Sequence, residues 1–165
     1  MFLARNLTFI ILFYFCCSLA TALPSDNKEK LHIVSDKSNY NFKTGVNEFI
    51  GHVVVDQGTT HLTADRVITK NNTQHKVKEV VAYGIAPLAH YWTVPKPGDL
   101  EMHAQAKIIK YYPIESNVSL EQNVNIKQGE NSFQGELIHY NSYDQTITVP
   151  QLEKSRAVLV YNPDK

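Results

Sequence analysis

An all-β fold of antiparallel strands is predicted by three observations on this 165-residue sequence. Short alternating or β-branched runs follow one another from Leu31 almost to the end, turn-forming residues separate them, and no window of about a dozen residues carries a helical period. Without crossover helices the strands must pair antiparallel. A sandwich, a barrel or a jelly roll satisfies that pattern.

The runs are Leu31 to Val34, Phe49 to Val55, His61 to Thr69, Val77 to Ala82 and Ala86 to Thr93, then Ala104 to Tyr112, Val118 to Lys127, Ser132 to Tyr140, Thr146 to Val149 and Ala157 to Tyr161. Thr44-Gly45, Gln57-Gly58, Asn71-Asn72, Tyr83-Gly84, Pro95-Lys96-Pro97-Gly98, Pro113 and Gln128-Gly129 separate them, all of the turn-forming kind.

One phrase is written four times: a small residue, a charged one, an aliphatic two further on, then Tyr or Thr. The copies run Ser35-Asp36 to Tyr40, Ala64-Asp65 to Thr69, Ala106-Lys107 to Tyr111 and Gly135-Glu136 to Tyr140, with Ser38 at the aliphatic place of the first. Copies one and two lie 29 residues apart, as do three and four, and the pairs are offset by 71. Phe49 to Gly58 falls on Leu120 to Gly129 at the same offset, so a unit of strands is duplicated.

Alternation assigns faces. Phe49, Gly51, Val53 and Val55 share one side, and Leu120, Gln122, Val124 and Ile126 share its counterpart; these are read as inward. Leu62 and Ala64 differ in parity from Val67 and Thr69, and Phe133 and Gly135 differ likewise from Ile138 and Tyr140. A bulge at the small residue explains the switch, and two partly apolar faces explain it equally.

Met1 to Ala22 has one charge at Arg5, an apolar run from Leu7 to Phe15 and an Ala20-Thr21-Ala22 close, the form of a secretory signal peptide. An uncleaved membrane anchor is the rival reading, though the run is short of the roughly 20 residues a spanning helix needs. Residues 23–165 then form one domain without cysteine, because Cys16 and Cys17 leave with the signal. Sixteen basic residues balance sixteen acidic ones, which favours neither nucleic acid nor an anionic membrane surface as partner.

No catalytic constellation stands out. Asp36, Asp65 and Glu136 recur at one place in the repeat, but Lys107 fills the fourth, as expected of solvated charges beside a bend. The histidines His32, His52, His61, His75, His90, His103 and His139 make no His-x-His pair, so no metal site is expected. There is no Gly-x-Ser-x-Gly elbow and no glycine-rich phosphate loop, and no cofactor is implied. What remains is apolar surface: Leu31, Ile33, Phe42, Phe49, Val53, Val55, Leu62, Leu120, Val124, Ile126 and Phe133 face an interior that is either a closed core or an open groove.

The ordered stretches Ile33-Val34-Ser35-Asp36, Phe49 to Thr59, Leu62 to Val67, Tyr83-Gly84 with Ala86 to Ala89, His103-Ala104, and Gln128 to Tyr140 resemble the OstA-like domain family of periplasmic lipopolysaccharide export proteins, of the LptA type. The match covers nearly all of residues 23–165. Gly51-His52 and Gln122-Asn123 depart from the Gly-Asn that the family usually carries, which bears on turn geometry.

The resemblance implies an antiparallel β-jelly roll, V-shaped and open along one side, that carries lipid A acyl chains through the periplasm in a groove lined by the apolar residues above. A buried methylene is worth about 0.8 kcal/mol, so a dozen-carbon chain needs on the order of 10 kcal/mol of shelter. The implied partners are lipopolysaccharide, further copies of the chain, and related β-jelly roll domains of inner- and outer-membrane export components, with no nucleic acid. Copies join at edge strands carrying Leu31 and Ile33 at one end and Val158 and Val160 at the other. With about eight strands per sheet, each module adds on the order of 40 Å to a bridge between the membranes. The alternatives are an inner-membrane-anchored relative, a structural or adhesive β module with a dry core, and an envelope-glycan enzyme using Asp65 and Glu136.

Overall fold

A computed structural model describes residues 29–152 and 156–163; the expected signal peptide lies outside them. Twelve strands follow in order, with no helix among the described residues: β1 (His32–Val34), β2 (Lys37–Asn41), β3 (Val46–Gln57), β4 (Thr60–Asn71), β5 (Val77–Tyr83), β6 (Ala89–Thr93), β7 (Met102–Ala106), β8 (Ile108–Tyr112), β9 (Asn117–Gln128), β10 (Asn131–Asn141), β11 (Thr146–Thr148) and β12 (Val158–Val160). All pairing is antiparallel.

The long strands β3, β4, β9 and β10 are each used twice. Their halves on one side of a bend pair in the order β2-β3-β4-β5-β8-β9-β10-β11, and those on the other side in the order β1-β3-β4-β6-β7-β9-β10-β12. Two half-sheets of eight strands thus fold over one another as an open jelly roll.

The repeated phrase marks the line of folding. Gly51 and His52 have φ of 80° and 44°, and Gln122 and Asn123 have φ of 65° and 56°. Each left-handed pair makes its strand two residues long where the neighbour has one, the arrangement of a bulge. Asp65 lies opposite the first pair and Glu136 opposite the second, at the register shifts between Ile50 and Val53 and between Gly135 and Leu137. On the far sides, Asp36 N–H donates to Gly51 O and Lys107 N–H to Gln122 O, both at 3.0 Å. The parity switch is therefore a bend, and the charge beside each small residue sits on it.

Two expected boundaries differ. Ala104 to Tyr112 is two strands, because the chain crosses the fold line at Lys107. Lys37 to Asn41 is a strand although its sequence does not alternate; every residue of it is exposed and its pairing with β3 alone organises it.

The core lies between the half-sheets. Val53, Val55, Leu62, Val67, Val80, Tyr91, Ile109, Leu120, Val124, Ile126, Ile138 and Tyr140 are buried there, with Leu31, Ile33, Phe49 and Phe133 packed against them half-buried. The inward parity read for β3 and β9 holds, with Gly51 and Gln122 spent on the bend.

Candidate functional site: a cleft between the half-sheets

Away from the fold line the half-sheets end in turns, and there the interior opens. Tyr91 and the turn residues Gln57 and Thr60 come from one half-sheet, with Val55 and Leu62 beside them; Val77, Val80, Tyr111, Pro113 and Ile114 come from the other. Between them lies a cavity of about 680 Å³, with Leu31 at one side and Lys76 at the rim. Its walls are mostly apolar, and its volume is that of an organic-ligand site.

The polar groups in the wall are held rather than free. Gln57 Nε2 donates to the Glu29 carbonyl at 3.1 Å, and the Thr60 and Thr93 hydroxyls lie 3.2 Å apart. Burial, then the neighbouring Tyr111, pushes the Tyr91 hydroxyl well above the usual tyrosine range. Tyr91 thus stays neutral at any physiological pH. The arrangement can shelter hydrocarbon.

A second cavity of about 350 Å³ opens farther along, lined by Pro95, Leu100, Met102 and Ile147 and by the polar Asp99, Gln128, Asn131, Tyr140 and Gln145. Gln145 Nε2 donates to Asp99 Oδ2 at 3.2 Å, tying the turn after β10 to the loop before β7. Burial, with Asp99 nearby, pushes the Tyr140 hydroxyl up to about 12.

Most sequence-predicted groove residues converge. Val55, Leu62 and Leu31 line the larger cavity, while Val53, Leu120, Val124 and Ile126 are buried in the core between the half-sheets; Ile33, Phe49 and Phe133 pack against that core. Phe42 is a correction. It sits in the turn after β2, 84% exposed, with its ring against Tyr40 at 4.5 Å, because the strand that ends before it is an edge with nothing beyond. Val158 and Val160 lie exposed on β12 and Ile33 half-buried on β1, the two edges of one half-sheet.

Val80, Tyr91 and Tyr111 were missed by sequence reasoning. They turn inward on β5, β6 and β8, a signal present in the sequence, whereas the expected groove residues fall on or beside β1, β2, β3, β4, β9 and β10.

The recurring carboxylates do not meet in one cleft. Asp36 Oδ2 lies 2.7 Å from His52 Nδ1 and raises the imidazole pKa through that hydrogen bond. Asp65 accepts from Ile85 N–H at 3.1 Å, and Glu136 is exposed on another strand. Among the described residues no group of three or more His, Cys, Asp or Glu is placed to hold a metal.

Residues 32–146 match the family model for LptA/(LptD N-terminal domain) LPS transport proteins. The chain belongs to this family. Within it, the lipopolysaccharide export system protein LptH of Pseudomonas aeruginosa is 32% identical over 130 residues, spanning 79% of this chain and 73% of that protein. LptA of Escherichia coli K12 is 33% identical over 86 residues, or 52% of this chain and 46% of LptA. The crystal structure of LptH, described as the LptA homologous periplasmic component of a lipopolysaccharide transport device, superposes with a TM-score of 0.78 at 27% identity, covering 85% of this chain and all of that one. The fold and the family implied by the resemblance are both met.

Proposed function

We propose that this chain is a non-enzymatic periplasmic carrier of lipopolysaccharide, exported by residues 1–22, that holds lipid A acyl chains between its half-sheets and serves as a repeating segment of a bridge from the inner to the outer membrane. The observation that carries the reading is the 680 Å³ apolar cavity, open at the free ends of both half-sheets, where Leu31, Val55, Leu62, Val80 and Tyr91 converge. An acyl chain leaving a bilayer loses about 0.8 kcal/mol of shelter per methylene, and such a wall restores it while the sugars stay outside. Exchange with a bilayer is near neutral, so direction comes from an energised partner.

The edges support the bridge. β1 and β2 at one end and β11 and β12 at the other each have one neighbour, leaving backbone groups that pair with a further copy or with a related β-jelly roll domain. The contact joins unlike surfaces and need not close.

The test is photocrosslinking to lipopolysaccharide from Val55, buried and facing the cavity, against Val54, its outward neighbour. Labelling at Val55 alone is expected; labelling at neither, in protein folded by circular dichroism, sinks the reading in favour of a dry-core structural module.

A further inference from the structure

The duplication breaks at one pair of facing residues. In the first unit Asn47 lies opposite Thr69, both buried, and Asn47 Nδ2 donates to Thr69 Oγ1 at 3.1 Å. At the 71-residue offset the facing pair is Val118 and Tyr140, again both buried. The amide that answers a hydroxyl in the first unit is an isopropyl group in the second, and the Tyr140 hydroxyl has no hydrogen-bond partner among the described residues. A hydroxyl buried in that way is unfavourable until something bonds to it. In the larger cavity the matter is already met, since the Tyr91 hydroxyl is hydrogen-bonded to Thr60 and Thr93.

Tyr140 lines the smaller cavity, where it is 3% exposed, and Asp99, also in the lining, is exposed to solvent. The phenol therefore lies at the floor and the carboxylate at the rim. Gln128 Nε2 donates to the Leu100 carbonyl at 3.0 Å and Gln145 Nε2 to Asp99 Oδ2 at 3.2 Å. Those bonds leave both amide oxygens as acceptors. Burial and the nearby Asp99 keep the proton on Tyr140, so the floor holds a standing donor. Leu100, Met102 and Ile147 supply apolar wall between these groups.

The wall chemistry selects among ligands. A hydrocarbon chain would leave the phenol unbonded and strip water from Asp99. An anionic group would meet the carboxylate. A ring hydroxyl both accepts and donates, so neighbouring hydroxyls can take the Tyr140 proton and give their own to Asp99 and the glutamine oxygens. The C–H faces of the same ring suit the apolar wall. A volume of about 350 Å³, near the low end for ligand sites, fits such a ring rather than a long chain.

We propose that the smaller cavity is a separate binding site for a sugar ring free of anionic groups, with Tyr140 donating from its floor and Asp99 accepting at its rim. The site stands on its own observations and does not depend on acyl chains occupying the larger cavity. Its ligand is either a free sugar or a sugar of the lipopolysaccharide itself, and the two present the same hydroxyls.

The full chain has two methionines, Met1 and Met102, and Met102 lies in this wall, 2% exposed. Its labelled methyl group, followed by NMR, reports on the cavity. N-acetylglucosamine is expected to shift the Met102 signal saturably, while glucuronate and dodecanoate leave it in place. Tyr140→Phe keeps the ring and removes only the unbonded hydroxyl, so its melting temperature should not fall, yet affinity for the sugar should drop about fivefold, the worth of one neutral hydrogen bond. Asp99→Asn should admit glucuronate. No saturable shift with the sugar, an equal shift with dodecanoate, or unchanged affinity in Tyr140→Phe overturns the site. A shift with the oligosaccharide of lipopolysaccharide, freed of its acyl chains, supports the site and assigns the sugar to the cargo; a shift with N-acetylglucosamine alone supports it and assigns a free sugar. Labelling from Val55 reads the larger cavity, so failure of either site leaves the other standing.

Discussion

Gln57 and Gln128 hold one bond in two copies: Gln57 Nε2 donates to the carbonyl of Glu29 at 3.1 Å, and Gln128 Nε2 to that of Leu100 at 3.0 Å, with donor and acceptor each 71 residues further on. Each bond straps an incoming segment across the hairpin turn at the rim of the cleft. Gln57→Ala and Gln128→Ala are each expected to cost about 1 kcal/mol, the net worth of one such bond. Because the two sites share no partner, the double variant should lose the sum. Urea unfolding measures this, and a strongly non-additive double variant would show that the straps are not independent.

The left-handed pairs at the fold line differ in how they tolerate side chains. A Cβ at Gly51, where φ is 80°, would meet Asp36 Oδ2 at 2.3 Å and Asp36 Cβ at 3.0 Å. Gly51→Ala should therefore destabilise by about 2 kcal/mol, strain and clash together. Gln122 carries its side chain at φ 65° in the equivalent place. Gln122→Gly should relieve that strain and stabilise by about 0.5 kcal/mol. Opposite signs in thermal melts are the expected result; equal destabilisation would mean that the side chain of Gln122, not backbone strain, decides.

How far the fold was legible follows from the same positions. The 71-residue offset is a property of residue spacing, so the duplicated unit and the inward faces of β3 and β9 could be read directly; the parity switch at Ala64 and Gly135 fitted a bend and two partly apolar faces equally, and the register shifts decide for the bend. β2 could not be read, because Lys37 to Asn41 are exposed on both faces and take their extended form from hydrogen bonds to Val46 to Ile50. Phe42 misled for a related reason. A large apolar ring is expected indoors, and the sequence does not show that the strand before it forms an edge. The larger cavity needed the third dimension, since Tyr91 and Tyr111 reach it from opposite half-sheets.

Leu62 and Ile109 separate cleft from core. Leu62 is 4% exposed but borders the larger cavity, so truncation removes fewer contacts than in a closed interior. Ile109 is 1% exposed and lines neither cavity. Leu62→Ala is expected to cost about 2 kcal/mol and Ile109→Ala about 4 kcal/mol, the low and high parts of the range for large-to-small core changes. Equal costs in denaturant titrations would indicate that the cleft wall is packed as tightly as the core.

On the outer face of one half-sheet, His90 Nε2 lies 3.1 Å from His103 Nδ1, and His103 Nε2 is 2.8 Å from Glu101. Burial first, then the charge of His103, lowers the His90 pKa below its ordinary value, while Glu101 opposes the shift. A histidine whose folded pKa lies below its unfolded one contributes stability that is complete above the unfolded value and is lost as pH falls through the folded value. Stability should therefore decline as the solution is acidified below the ordinary histidine range. His103→Gln should move the His90 titration, followed by NMR, part of the way back up. An unmoved titration would assign the whole shift to burial.

The edge at β12 is expected to matter for assembly far more than for folding. Val158, Leu159 and Val160 are each more than half exposed and pair only with Ser132 to Gln134, so the core does not depend on them. Ending the chain after Ser155 removes this strand and leaves β10 as the border of its half-sheet. The truncated protein should keep its melting temperature within a few degrees, since a loss of about 1 kcal/mol moves it only that far in a domain of this size. It should also sediment as a monomer at concentrations where the full chain associates. Full-chain association that survives the truncation would place the junction elsewhere on the sheet; a truncated chain that fails to fold would mean that β12 closes the core rather than offering an edge.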